Sequence, residues 1–339
     1  MNLDLTALAG KTLLITGGTG MIGKWMIDFL LGRVNCKIVL LGRSEEKARS
    51  RFAAGLWERG LLHFVQWDSS HPTPLFPSNI QILEHSNIDY IIHLASNTHP
   101  VAYATDPVST IVMNVNATKE LLDLAVAKRV KRFVYASSVE IYGQNRGDCE
   151  KFKEDYCGYI DCNTLRAGYP ESKRCGEALC QAYIKQYGLD IVIPRIARVY
   201  GPTLQKDDTK ALSQFIHNAL NGQDIVLKSE GKQYFSYLHV ADAVSGILTV
   251  MLDGRSGEAY NIADGSSDIH LCDLAALIAG QCGRKVVFDI PKALESAGFS
   301  PAMLARLDAG KLMGLGWSAK HNIADGIRES ILTLQENDM

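Results

Sequence analysis

The chain has 339 residues, 47% hydrophobic and 21% charged, with a formal net charge of −2. That length can bury a sizeable core and exceeds one ordinary domain, so two lobes are expected. No basic block offers a footprint for nucleic acid or a membrane surface, and no apolar run approaches the ~18 residues of a bilayer span. At the start, "MNLDLTALAGKTLLITGG" carries Asp4 ahead of its apolar part and has no cleavage-site pattern, so it does not read as a signal peptide. The eight cysteines include no Cys-x-x-Cys pair. Reduced thiols fit this usage better than zinc, so no metal and a cytoplasmic location are expected.

Short apolar runs recur through the first half: "TLLITGG", "CKIVLLG", "HFVQWD", "YIIHLAS", "RFVYASS" and "DIVIPRI". Continuous β-branched runs mark strands buried on both faces. Helical patterns lie between them, such as "NVNATKELLDLAVAKR", whose basic end suits the helix dipole. The alternation predicts an α/β fold with a Rossmann-like doubly wound parallel sheet over residues 1–197, completed by 236–256. After Val199 the texture changes to a polar loop, "GPTLQKDDTK", then helix, a short "IVLK" strand, another helix and a mixed segment. Residues 198–235 and 257–339 are expected to form a smaller mixed α/β substrate lobe over the carboxyl ends of the strands, where such sheets bind ligands.

In "LLITGGTGMIG", Gly17, Gly18, Gly20 and Gly23 stand between the first strand and a helix. Glycines there allow a tight turn and close backbone approach, so the helix N-terminus can hold the pyrophosphate of a dinucleotide. The acidic residue expected at the end of the second strand is missing, and Leu41, Gly42, Arg43 and Ser44 occupy that stretch. An arginine at this point can pair with a 2′-phosphate, which favours NADP over NAD. The alternative is that Arg43 stacks on adenine.

Further on, "FVYASSVEIYG" starts as a buried strand and ends with two hydroxyls, a valine and a carboxylate. In an extended strand Ser138 and Glu140 project to one side. Glu140 is then either a solvated strand end or part of a site. "AGYPESKRCGEAL" places Tyr169 and Lys173 on one helical face, with Pro170 suited to the first turn. A lysine cation beside the phenol favours the phenolate, which makes Tyr169 usable as an acid or base. His93, inside "IIHLAS", reads as a structural strand histidine.

With these segments in view, the chain resembles an extended short-chain dehydrogenase/reductase of the NAD-dependent epimerase/dehydratase branch that acts on nucleotide sugars. The resemblance runs through "TGGTGMIG", "IIHLAS", "NVNATKELLDLA", "ASSVEIYG", "YPESK", "RIARVYGP", "GKQYFSYLHVADAV", "GEAYNIADG" and "LDAGKLMGLGW". It implies that Ser138 is the hydroxyl partner of Tyr169 and that Lys173 holds the nicotinamide ribose. It also implies that Gly17, Gly20, Met21, Ile22 and Gly23 line the pyrophosphate, Asp68 the adenine, and Leu94, Ala95 and Ser96 the middle of the cofactor. Glu140 matches the carboxylate that dehydratases and UDP-glucuronate decarboxylases of this family carry, whereas Val139 departs from the dehydratase aspartate. Arg166 matches the decarboxylase segment. Members of the family usually have Asn where this chain has Arg198, and Arg where it has Phe235. Both positions ordinarily help to hold the substrate diphosphate, so one cation has gone and one has appeared.

The expected activity is that of an NAD(P)-dependent epimerase or decarboxylase that transiently oxidises a sugar hydroxyl of a nucleotide sugar. An NADPH-dependent ketosugar reductase is the rival that Gly42 and Arg43 favour. A noncatalytic dinucleotide sensor is a second rival, against which the Ser138, Tyr169 and Lys173 set stands. The resemblance further implies a homodimer through a helix bundle.

Overall fold

Successive residues of the first strand face two different cores. Leu13 and Ile15 join one hydrophobic cluster and Leu14 the other. The same division recurs at Ile38 and Leu40 against Val39 and Leu41, and at Ile92 against Ile91. Side chains alternate across a strand, so a run without polar gaps is what a sheet covered on both faces demands. The computed structural model describes residues 3–68, 87–96, 105–290 and 303–338.

In chain order the strands are β1 Thr12–Thr16, β2 Lys37–Gly42, β3 Leu62–Gln66, β4 Tyr90–His93, β5 Arg132–Tyr135, β6 Ser137–Ser138, β7 Ile191–Ile196, β8 Arg198–Tyr200, β9 Ile225–Leu227, β10 Tyr234–His239, β11 Ala259–Ile262, β12 Asp268–His270, β13 Val286–Phe288 and β14 Leu304–Ala305. Among the described residues an eight-stranded sheet runs β11-β7-β5-β4-β1-β2-β3, with β6 also paired to β7. Every pairing in it is parallel. The chain steps outward from β1 to β3, then returns past β1 to lay down β4. The crevice between β1 and β4 is therefore the switch point at which such sheets receive ligands.

The helix expected at "NVNATKELLDLAVAKR" starts earlier, spanning Pro107–Lys128. Asp106 caps it by accepting from the Ser109 amide, Pro107 pre-sets the first turn, and Arg129 ends it in the left-handed conformation with φ 51°. The expectation that 236–256 completes the main sheet does not hold. Its outer strand is β11, which pairs with β7. β10 instead pairs with β8, β12 and β14 in a smaller sheet. The following helix, Val240–Asp253, is buried along most of its length. It reaches the main sheet through Arg132 of β5, whose Nη1 donates to the Met251 carbonyl at 2.8 Å.

Candidate active site

The glycine loop is built by backbone contact. Gly17 has φ +70°, and a Cβ there would lie 2.7 Å from the Ala95 nitrogen. A Cβ on Gly23 would lie 2.4 Å from the Gly17 carbonyl oxygen. Larger residues would force β1, the loop and the segment after β4 apart. The Gly20 amide donates to the Gly17 carbonyl at 3.0 Å, and Gly20 then opens the Met21–Leu31 helix without any side-chain cap. The first amides of that helix, at Met21, Ile22 and Gly23, are thus left to an anion beside a backbone cradle, which fits a dinucleotide pyrophosphate. Leu94, Ala95 and Ser96 flank the cradle, half-buried, directly after β4. Asp68 follows β3 and is half-buried, while Arg43 follows β2 and is exposed. Glu45, the nearest downstream carboxylate, is engaged with Arg49 at 2.6 Å.

Tyr169 and Lys173 lie on one face of the Gly168–Tyr187 helix, and both are buried. Burial pushes the Tyr169 phenol up to about 12; hydrogen bonds with Ser138 and Ser96 oppose the rise, and the Glu140 charge adds to it. Burial drives the Lys173 ammonium down to about 8, against the pull of Glu177. The expected effect of lysine on tyrosine differs here in a physical detail. Lys173 Nζ donates to the Ala136 carbonyl at 2.8 Å and sits 5.0 Å from the Tyr135 ring centroid, and its charge is directed there rather than at the phenol. Tyr169 accordingly rests as a neutral phenol.

The strand reading of "FVYASSVEIYG" also needs correction. Extended structure stops at Ser138, and Val139–Tyr142 forms a 3-10 turn. Ser138 caps it, its Oγ accepting from the Glu140 amide at 3.2 Å. Glu140 therefore reaches the Tyr169 side through a turn and not through strand alternation. Its carboxylate lies between two cations, Arg166 Nη2 at 3.5 Å from Oε2 and Arg198 Nη2 at 3.5 Å from Oε1. The Arg198 guanidinium covers the buried Phe235 ring at 3.6 Å. These groups border a cavity of about 280 Å3 whose lining includes Glu140, Arg166, Arg198, Ala167 and Ala305.

A family model described as the NAD dependent epimerase/dehydratase family matches residues 13–263. The chain belongs to that family. UDP-glucuronic acid decarboxylase 1 of Xenopus tropicalis is 30% identical over 249 residues, covering 71% of this chain and 53% of that protein. UDP-glucuronic acid decarboxylase 3 of Arabidopsis thaliana is 28% identical over 321 residues, covering 93% and 86%. The chain thus spans about half the length of the first curated relatives that it matches, 53% to 57%. Among solved structures, a dTDP-glucose 4,6-dehydratase from Streptomyces venezuelae with NAD and TYD bound is similar with a TM-score of 0.79 at 26% identity, covering 96% and 97% of the two chains. A UDP-glucose 4-epimerase from Thermotoga maritima shares the fold with a TM-score of 0.81 at 20% identity, covering 97% and 100%.

In this epimerase/dehydratase family member the sequence reading missed Asn114. Its side chain accepts from Ser96 Oγ at 2.8 Å and donates to Ser172 Oγ at 2.8 Å, which in turn donates to the Tyr169 carbonyl at 2.8 Å. Asn114 so ties the segment after β4 to the tyrosine helix; its burial on the helix face was the available signal. Gln144, Asp161 and Thr164 were also missed as cavity residues, because they come from loops without a pattern. His93 is held between two hydroxyls, Thr16 at 2.8 Å on Nδ1 and Thr118 at 3.3 Å on Nε2. The Thr118 hydroxyl already donates to the Asn114 carbonyl at 2.7 Å, so it accepts from Nε2–H and Nδ1 receives the Thr16 proton. Burial, with the Lys173 charge, lowers His93 to about 3. It is a neutral tether.

No described helix is long and apolar enough to cross a membrane. Away from the cavity, His239, His321 and Glu329 each bring a potential metal-ligating atom within 4.8 Å of the others. His239 Nδ1 accepts from the Ala241 amide at 3.4 Å, which leaves the proton on the Nε2 that would have to ligate.

Proposed function

We propose that this chain transiently oxidises a hydroxyl of a nucleotide sugar and then epimerises or decarboxylates it, with NADP preferred over NAD. The observation that carries the reading is Glu140. Its carboxylate lies near Tyr169, clamped by Arg166 and Arg198 at the wall of the cavity. A carboxylate beside a hydroxyl-handling tyrosine suits chemistry at the carbon next to the oxidised one.

The dinucleotide, when bound along the glycine loop and Leu94–Ser96, supplies the hydride acceptor. Tyr169 can take the proton of the sugar hydroxyl once it has released its own proton to solvent, and the Ser138 hydroxyl stabilises the phenolate that does so. Lys173, its ammonium held by the Ala136 carbonyl, would hold the nicotinamide ribose. Glu140 serves the proton at the neighbouring carbon, or assists departure of a carboxylate as carbon dioxide. Arg166 and Arg198 provide two guanidinium groups for a phosphate or a uronate carboxylate. That uronate preference draws on the UDP-glucuronic acid decarboxylases among the relatives. A homodimer in the cytoplasm is part of the same reading.

The experiment is to incubate the protein with NAD or NADP and either UDP-glucuronate or UDP-glucose, and to analyse products by mass spectrometry. Loss of carbon dioxide, or inversion at one carbon without net cofactor consumption, supports the reading. Net accumulation of NADPH from NADP, with a ketosugar as the product, supports the reductase, run in reverse, that the exposed Arg43 favours.

A further inference from the structure

Tyr169, Lys173 and Glu177 recur every fourth residue along one face of the Gly168–Tyr187 helix. Opposite them lie three consecutive residues of the strand end. Tyr169 hydrogen-bonds Ser138, Lys173 Nζ donates to the Ala136 carbonyl at 2.8 Å, and Ser137 Oγ donates to Glu177 Oε1 at 2.6 Å. Between these rungs the helix touches the strand closely: a Cβ on Gly176 would lie 2.0 Å from the Tyr135 hydroxyl.

Glu177 also reaches a second strand. Arg195 of β7 donates to it through Nε at 3.0 Å and through Nη2 at 2.7 Å. β6 and β7 set Ser137 opposite Arg195, so one carboxylate fastens the helix to two paired strands. Arg195 is itself held by the Glu154 carbonyl at 2.6 Å and the Tyr142 hydroxyl at 2.9 Å. Tyr142 donates onward to Asn261 at 2.6 Å. The anchor is therefore fixed independently of the helix that it holds.

We propose that Glu177 is a positioning residue for the proton-transfer pair. It sets the register in which Tyr169 meets Ser138, and it keeps the Lys173 ammonium charged and aimed at Ala136. This rests on the reading of Tyr169 and Lys173 given above. A purely structural Glu177–Arg195 pair would hold the helix and leave Lys173 indifferent.

Among the described residues the charged and titratable groups facing Lys173 are few, and Tyr169 on the same helix face is one of them. Glu177 and Cys180 lie on its own helix, Tyr135 of β5 lies beneath it, and neutral His93 of β4 is within electrostatic reach. Glu177 is the carboxylate among them, so its removal leaves the buried ammonium without an opposing anion.

The test follows the Lys173 side chain directly in protein carrying 13C- and 15N-labelled lysine, with its NMR signal assigned by Lys173→Met. Wild type should titrate near pH 8. Glu177→Gln, which keeps the shape and loses the charge, should move the midpoint down by at least about one pH unit. Glu177→Asp, which keeps the charge but falls a methylene short, should fall between the two, and it serves alone if the glutamine variant does not fold. Identical midpoints in wild type and either variant overturn the proposal. Because this readout needs no substrate, its failure is distinct from an inactive Tyr169 or a wrong reaction.

Discussion

Arg198 and Phe235 form one unit: the guanidinium carbon lies 3.6 Å from the ring centroid. The β8–β10 register sets Arg198 opposite Tyr237, so Phe235, two residues along, presents its ring on the same side. The family resemblance implies a cation at position 235; this chain has Phe235 there, with the Arg198 guanidinium lying across its ring. A stacked guanidinium is held rigidly with its edge toward the cavity: Nη2 meets Glu140 at 3.5 Å, and Nη1 has no hydrogen-bond partner among the described residues.

Arg198→Ala should therefore weaken binding of a nucleotide diphosphate far more than it slows a bound substrate. Arg198→Lys should recover only part of the loss, because an ammonium lacks the flat, forked geometry. Calorimetric titration with UDP measures this without turnover. Equal affinities in wild type and Arg198→Ala would place the diphosphate elsewhere.

Tyr169→Phe removes the phenolic oxygen that Ser138 and Ser96 engage, while the ring stays packed. Turnover should fall by at least the ~10²-fold typical of a lost general acid–base group. Affinity for the dinucleotide should stay within a few-fold. Near-normal turnover would remove Tyr169 from the mechanism.

Arg43 should discriminate between cofactors. It stands exposed directly after β2, and the nearest downstream carboxylate, Glu45, is occupied by Arg49. Wild type should bind NADP more tightly than NAD, and Arg43→Ala should lose the preference. An unchanged NADP preference in the alanine variant would assign discrimination to other residues.

His93 predicts an acid limit to stability. Its folded value of about 3 lies below the unfolded ~6.5. The folded state thus binds fewer protons between those values, and stability falls as the pH drops below 6.5. By pH 5 the loss from this one group is about 2 kcal/mol. Urea melts of wild type and His93→Asn at pH 7 and pH 5 check it: the asparagine variant should lose less on acidification. Equal losses would mean that His93 is not a neutral tether.

The glycine loop and the tyrosine–lysine helix were legible because each is local. Gly17 answers to a backbone conformation, and Tyr169 and Lys173 answer to helical spacing. The parallel sheet was legible because a run such as Leu13–Leu14–Ile15 has no solvent face to give it polar gaps. Glu140 was legible as a candidate site carboxylate through the family resemblance, but the turn that carries it was not. The hydroxyl of Ser138 capping the next turn replaces the strand that alternation assumes. Asn114 and Glu177 depend on partners far away in sequence, Ser96, Ser172, Ser137 and Arg195. Only packing of helix against strand brings these together. The outer strand β11 was displaced to 236–256 in the sequence reading because "YFSYLH" is as strand-like as "AYNI". The pairing of β10 with β8, and of β11 with β7, is a tertiary fact.

The central claim is that Glu140 acts after the hydroxyl has been oxidised, and one measurement tests it most directly. Glu140→Gln, loaded with dinucleotide, is mixed with UDP-glucuronate in a single turnover while absorbance at 340 nm is followed. Tyr169 and Ser138 are intact in this variant, so absorbance should rise as in wild type. It should then decay slowly or not at all, because the step at the neighbouring carbon has lost its carboxylate, and a keto sugar should accumulate. A variant whose rise and decay both match wild type would contradict the account and leave Glu140 a solvated turn residue.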